Sequence, residues 1–177
     1  MISEEPCHLL FCDCTKGLSG QRHHAIVAAL YQALRTSPLA TRGSVQREVT
    51  LDIRSEGRNT RTDIRVLDGS KTYCVDIAVV NPAADKYKDQ AYKRPGVASS
   101  RAYKRKIAFY QKYKQTVVPF VFEAAGRLDP RSLDWFKKII PDPHRRSYYL
   151  NLFSAQIACY NAKMVNVARR LCRPENY

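Results

Sequence analysis

The sequence has no apolar run long enough to span a membrane, and its N-terminal segment MISEEPCHLLFCDC carries acids where a secretory leader carries positive charge. The protein is therefore expected to stay inside the cell, in the cytosol or nucleus, without a membrane partner. No internal repeat and no low-complexity segment occurs, which argues against solenoid and disordered classes. Acid is also scarce. Sixteen Asp and Glu face thirty Lys and Arg, a formal charge of +14. An excess of that size implies a polyanionic partner, nucleic acid first, although part of it can be a solvated basic face.

What is present is ordinary globular material. With 177 residues, 45% hydrophobic and 26% charged, the chain is about one domain long and able to bury a core. The six cysteines do not read as a disulfide framework. Three lie within Cys7 to Cys14, Cys74 sits in an apolar run, and Cys159 and Cys172 fall in the last helical segment. Reduced thiols are the reading, with metal ligation open at the N-terminal cluster.

QRHHAIVAALYQALRTS reads as a helix, with Ile26, Ala29, Leu30 and Leu34 on one stripe and Ser37-Pro38 as its stop. Three β-rich runs follow, SVQREVTLDI, TRTDIRVL and KTYCVDIAVV, the last two joined by an Asp68-Gly69-Ser70 turn. After Asn81-Pro82 a loop leads to a helix beginning past Pro95-Gly96. TVVPFVFEAAG is a short strand whose Pro119 argues for an early or edge position. DPRSLDWFKKII is a helix with proline in its first turn, and Arg145 to Arg173 is a long helical pattern carrying Leu150, Phe153, Ile157, Met164 and Val165. The order of elements predicts an α/β fold with a mixed central sheet flanked by helices and a long C-terminal helix.

Chemistry concentrates at two aspartates and one basic stretch. Asp76 interrupts a strand otherwise apolar on both sides, where a carboxylate must be used or paired. Asp63 lies in the preceding strand with twelve residues between the two, and an antiparallel hairpin can bring such positions to one end of a sheet. There they would hold a hard cation such as Mg2+ or Mn2+, the constellation phosphodiester hydrolysis needs. Asp63 also reads as a turn or cap residue, and Asp76 as one half of a buried structural pair. From Lys86 to Lys114 ten Lys or Arg stand against the single acid Asp89. Lys86, Lys88, Lys93, Arg94, Arg101, Lys104 and Arg105 are accordingly the candidate contacts to a nucleic-acid backbone. Tyr103, Tyr110 and Tyr113 either stack on bases or cover the sheet, the latter being the commoner use.

The runs TDIRVLDGSKTYCVDIAVVNPAADKY, PGVASSRAYKRKIAFY and VVPFVFEAAGRL, with NAKMV at Asn161 to Val165, resemble the restriction-like endonuclease domain of non-LTR retrotransposon polyproteins, in the PD-(D/E)XK superfamily. The resemblance runs from about Cys12 to Val165. It implies a restriction-endonuclease-like fold and metal-dependent cleavage of duplex DNA, a nick that opens a target for integration. It also implies possible company from RNA and from a reverse transcriptase domain of the same polyprotein.

On that resemblance Asp63 and Asp76 are the metal-holding acids, with Thr62 where the family has proline. Ala78 stands where the superfamily has its lysine. The branch supplies that lysine from the following helix in a Lys-x-x-x-Tyr pattern, which Lys106 and Tyr110 match, one turn apart. Lys106 is otherwise one phosphate contact in a basic run. Glu48 resembles a further acid before the hairpin, either an accessory ligand or a surface residue. His23, in an Arg22-His23 pair that matches one in the family's first helix, either lines the nucleic-acid side or is a surface histidine at the helix start, the latter being the commoner case. Cys7, His8, Cys12 and Cys14 resemble the tail of a zinc knuckle, although Zn2+ needs about four ligands and Cys7 and His8 are adjacent. Residues 1–20 are thus set apart from a nuclease-like domain over 21–177. The rival reading, kept open by Ala78, is a catalytically inactive nucleic-acid-binding module on the same fold.

Overall fold

A computed structural model of the chain describes residues 10, 15–38, 43–52, 60–113 and 115–171. Its elements are α1 (Lys16–Arg35), β1 (Val45–Asp52), β2 (Thr60–Asp68), β3 (Lys71–Val80), α2 (Lys88–Lys93), α3 (Val97–Tyr110), β4 (Thr116–Glu123), α4 (Pro130–Ile139) and α5 (Pro143–Leu171). The strands form one sheet in the order β1-β2-β3-β4, the first two pairings antiparallel and β3-β4 parallel. The mixed α/β sheet flanked by helices, with a long C-terminal helix, is therefore present. Among the described residues no helix is long and apolar enough to cross a membrane.

Local chemistry accounts for the sheet. Asp68 pairs with Lys71 across a two-residue turn, and Gly69 takes the positive φ of 56° that such a turn demands. Pro119 lies on the edge strand β4 of this sheet, where a missing N–H removes no pairing on the outer side.

Side-chain alternation then divides the molecule into layers. Ile64, Val66, Val75, Ile77, Phe120 and Phe122 point to one face, packed with Ile26, Leu30 and Leu34 of α1, Phe136 of α4 and Phe153 and Ile157 of α5. Phe120 meets Phe122, Phe136 and Phe153 edge-on, with ring centroids 5.4, 5.7 and 5.8 Å apart. On the other face Cys74, Val117 and Leu51 pack with Tyr110 of α3, while Ala98 and Ala102 let that helix lie close to β4. Cys74 is fully buried, and burial pushes its thiol up, so it remains a protonated core residue.

The helices start where their caps dictate. Asp129 accepts from the Arg131 N–H at 3.0 Å, with Pro130 opening α4. Asp142 accepts from the His144 N–H at 2.9 Å ahead of α5, which runs 29 residues, about 43 Å. Two differences from the sequence reading stand out. Helix α1 begins at Lys16, several residues before Gln21. The loop after Asn81 contains α2, which buries none of its six residues and so offers no apolar periodicity to read.

Candidate active site

Strands β2 and β3 part company at the two aspartates. Their ladder closes with Ile64 opposite Val75, so Asp63 and Asp76 occupy the next facing positions. Beyond that point β2 pairs only with β1, through Thr62 opposite Val49, while β3 continues along β4 with Asp76 opposite Pro119 and Ile77 opposite Phe120. The fork leaves the Ile77 N–H without its β2 partner. The Asp63 carboxylate takes that place, its Oδ2 accepting from the Ile77 N–H at 2.6 Å. Its other oxygen, Oδ1, lies 3.0 Å from His23 Nε2 on α1.

Asp76 is met from the opposite layer. Lys106 of α3 places its Nζ 2.5 Å from Asp76 Oδ2, the two side chains 21% and 13% exposed. Neighbouring Lys104 and Arg105 are exposed, so the helix separates one inward lysine from a basic surface. One turn beyond Lys106, Tyr110 is buried. Burial, then the charge of Asp76 and a hydrogen bond to it, then the charge of Asp63, push its hydroxyl far above the phenol range. Tyr110 is thus a neutral donor beside both carboxylates.

Five side chains therefore meet at the fork: His23, Asp63, Asp76, Lys106 and Tyr110. No family model and no curated protein matches this chain.

Among the described residues no group of three or more His, Cys, Asp or Glu side chains is close enough to cage a metal ion. The donor set is instead two facing carboxylates, which is how Mg2+ is commonly held, with water and phosphate oxygens completing the shell. The residues fit such an ion. Glu48 is not brought into the group. It is exposed on β1, with a φ of 52° that is unusual for a non-glycine residue.

The candidate nucleic-acid contacts Lys86, Lys88, Lys93, Arg94, Arg101, Lys104 and Arg105 are all exposed. Three of them also have internal work, Lys86 with its Nζ 5.0 Å from the centroid of the Tyr87 ring. Lys88 pairs with Asp85 at 3.0 Å, and Arg101 donates to the Lys86 carbonyl at 3.0 Å and to Gln90 Oε1 at 2.5 Å. His23 stands apart from this set, at Asp63. Tyr103 lies beneath the Arg131 guanidinium, 4.0 Å from it, and the Tyr113 hydroxyl is 2.7 Å from Thr60 Oγ1, so both rings serve packing. Cys7, His8, Cys12 and Cys14 lie outside the described residues.

Two supporting contacts escaped the sequence reading. Glu123, buried at the end of β4, accepts from the Ser99 N–H at 3.1 Å and from Ser99 Oγ at 3.3 Å, satisfying the first turn of α3. A lone acid in the apolar run VVPFVFE was the available signal, the same one that marked Asp76. Arg22, buried beside His23 in sequence, donates to Asn161 Oδ1 at 2.6 Å, and Asn161 Nδ2 donates to the Ala124 carbonyl at 2.7 Å. That relay ties α1 to α5 and to the chain leaving β4, fixing the helix that carries His23.

Proposed function

We propose that the chain is a metal-dependent DNA endonuclease with a restriction-endonuclease-like fold, which nicks duplex DNA in the manner of the retrotransposon domain it resembles. The observation that carries the reading is the meeting of Asp63, Asp76 and Lys106 from β2, β3 and α3. Lys106 reaches the second acid from a helix, although Ala78 leaves the strand without its lysine. A purely structural account of Asp76 explains one ion pair. It does not explain a second carboxylate facing it across an opened ladder.

Asp63 and Asp76 would hold Mg2+ or Mn2+. A cation held there polarises the scissile phosphate and makes bound water acidic. The chain's own groups do the rest. Asp63 is held by the Ile77 N–H and His23, so its free lone pairs point in a fixed direction. Lys106 sits beside Asp76, where an ammonium would offset charge building on a phosphate. Tyr110 stays protonated and donates. The exposed lysines and arginines from Lys86 to Arg105 supply backbone attraction without reading sequence. A nuclear location follows from this role.

The test is incubation of the purified protein with supercoiled plasmid, with Mg2+, with Mn2+ and with neither. Metal-dependent conversion to the open circle is expected. Binding without any nicking in either metal overturns the reading and leaves the inactive binding module.

A further inference from the structure

Helix α2 is unusual in burying nothing while being firmly held. Tyr87, just before it, is buried, and its carbonyl accepts from the Ala91 N–H at 2.8 Å. Arg101 of α3 bonds both the Lys86 carbonyl and the Gln90 side chain. On this fixed turn Tyr92 is 93% exposed, the most exposed large hydrophobic side chain among the described residues. A single exposed ring needs no explanation by itself. This one borders a cleft of about 690 Å³ whose walls are mainly apolar, from Pro82, Ala83 and Ala91, with Lys88 and Lys93 beside them. Asp89 on the same wall is the one acid in a stretch with ten Lys or Arg.

We propose that Tyr92 is a stacking platform for an unpaired nucleobase, with Lys88 and Lys93 gripping the phosphates on either side of it. An exposed ring, an apolar recess and flanking cations suit single-stranded nucleic acid, because every base offers a π-face once it leaves the duplex. A paired base offers none without a cost of unstacking. The loop bearing α2 joins β3, which carries Asp76, to α3, which carries Lys106, so the platform belongs to the segment linking two walls of the site. The inference deepens the nuclease reading by adding a subsite for a strand displaced or melted at the cut.

The experiment uses the full chain in EDTA, with fluorescence anisotropy on labelled dT12, on U12 RNA and on a blunt 20-base-pair duplex. Tyr92→Ala should weaken binding of the single strand about fivefold or more and leave duplex binding unchanged, while Tyr92→Phe keeps wild-type affinity. A 5-iododeoxyuridine oligonucleotide should photocrosslink at Tyr92, located by peptide mass spectrometry. Tyr92 dependence on both dT12 and U12 supports base stacking alone, and dependence on dT12 only supports stacking with sugar selection. Equal single-strand affinity for wild type and Tyr92→Ala, with no crosslink at Tyr92, overturns the proposal. Plasmid nicking by the wild type separates the two readings. Nicking with Tyr92-independent binding removes the platform alone, whereas Tyr92-dependent binding without nicking removes the nuclease and keeps the platform.

Discussion

A carboxylate flanked by buried Val75 and Ile77 persists only if something compensates its lost hydration, and at Asp76 that partner is Lys106. The pair explains why two substitutions at the same contact should read out differently. If the proposed site holds a metal, Asp76→Ala would remove one of its ligands and a negative charge near phosphate, so cleavage should vanish while DNA affinity stays equal or rises. Asp63→Ala should do the same, and wild-type cutting by either variant would remove that residue from the site. On the proposed role, Lys106→Ala would take away one charge-assisted contact to the reacting phosphate, for which a loss of roughly a hundredfold is expected, about 2.7 kcal/mol. Lys104 projects about 160° from Lys106 around the helix, so Lys104→Ala should weaken binding modestly and leave turnover nearly intact. Single-turnover cleavage at saturating protein, with circular dichroism to check folding, compares the two lysines. Equal small effects would reduce Lys106 to one phosphate contact among several. Asp76 was legible in the sequence because a charge in an apolar run demands a reason. The contact of His23 with Asp63 was not, since it depends on how α1 is rotated against a strand 40 residues away.

Elements bring these side chains together, and their placement depends on a few buried polar contacts. Helix α3 can aim Lys106 only if its first turn is fixed, and Glu123 fixes it through Ser99. Glu123→Ala leaves a buried N–H unsatisfied, so a stability loss of about 1 to 3 kcal/mol is expected, read as a lower urea midpoint. Turnover should fall beyond what the unfolded fraction explains, whereas duplex binding in EDTA, proposed to rest on the exposed face, should hold. An unchanged midpoint would show that water replaces the carboxylate without cost. The sheet and hairpin were readable because Asp68-Gly69 sits between runs whose periods agree with their burial, and α1 because its Ile26, Ala29, Leu30 and Leu34 stripe is indeed core. The fork at Asp63 was not readable. Register sets the two acids opposite each other, but the parting of β2 from β3 is imposed by β1 and β4 on either side. The Arg22 to Asn161 bond, spanning 139 residues, leaves no local pattern at all.

At the scale of the whole molecule the charge of +14 bears on the proposed function by separating the cations that would hold DNA from the one that would act in cutting it. On the segment between β3 and β4, Lys106 turns inward and pairs with Asp76, whereas Lys86, Lys93, Lys104 and Arg105 face solvent. Attraction by such exposed charges works through release of counterions from the duplex, so affinity should fall steeply with salt, by orders of magnitude between about 50 and 200 mM. Each phosphate contact contributes about 0.9 to the slope of log affinity against log salt. Replacing Lys86, Lys93, Lys104 and Arg105 together by Ala should therefore lower that slope by about 3 to 4 if all four touch phosphate. The measurement is duplex anisotropy across a salt series in EDTA, which keeps the substrate whole. Sequence should matter little in either protein, because these contacts go to the backbone. The quadruple variant should still nick at wild-type single-turnover rate once protein is saturating, since none of the four lies at the fork. A slope that does not change would move the DNA-binding face away from α2 and α3, and a lost saturating rate would mean that those cations act at the scissile phosphate.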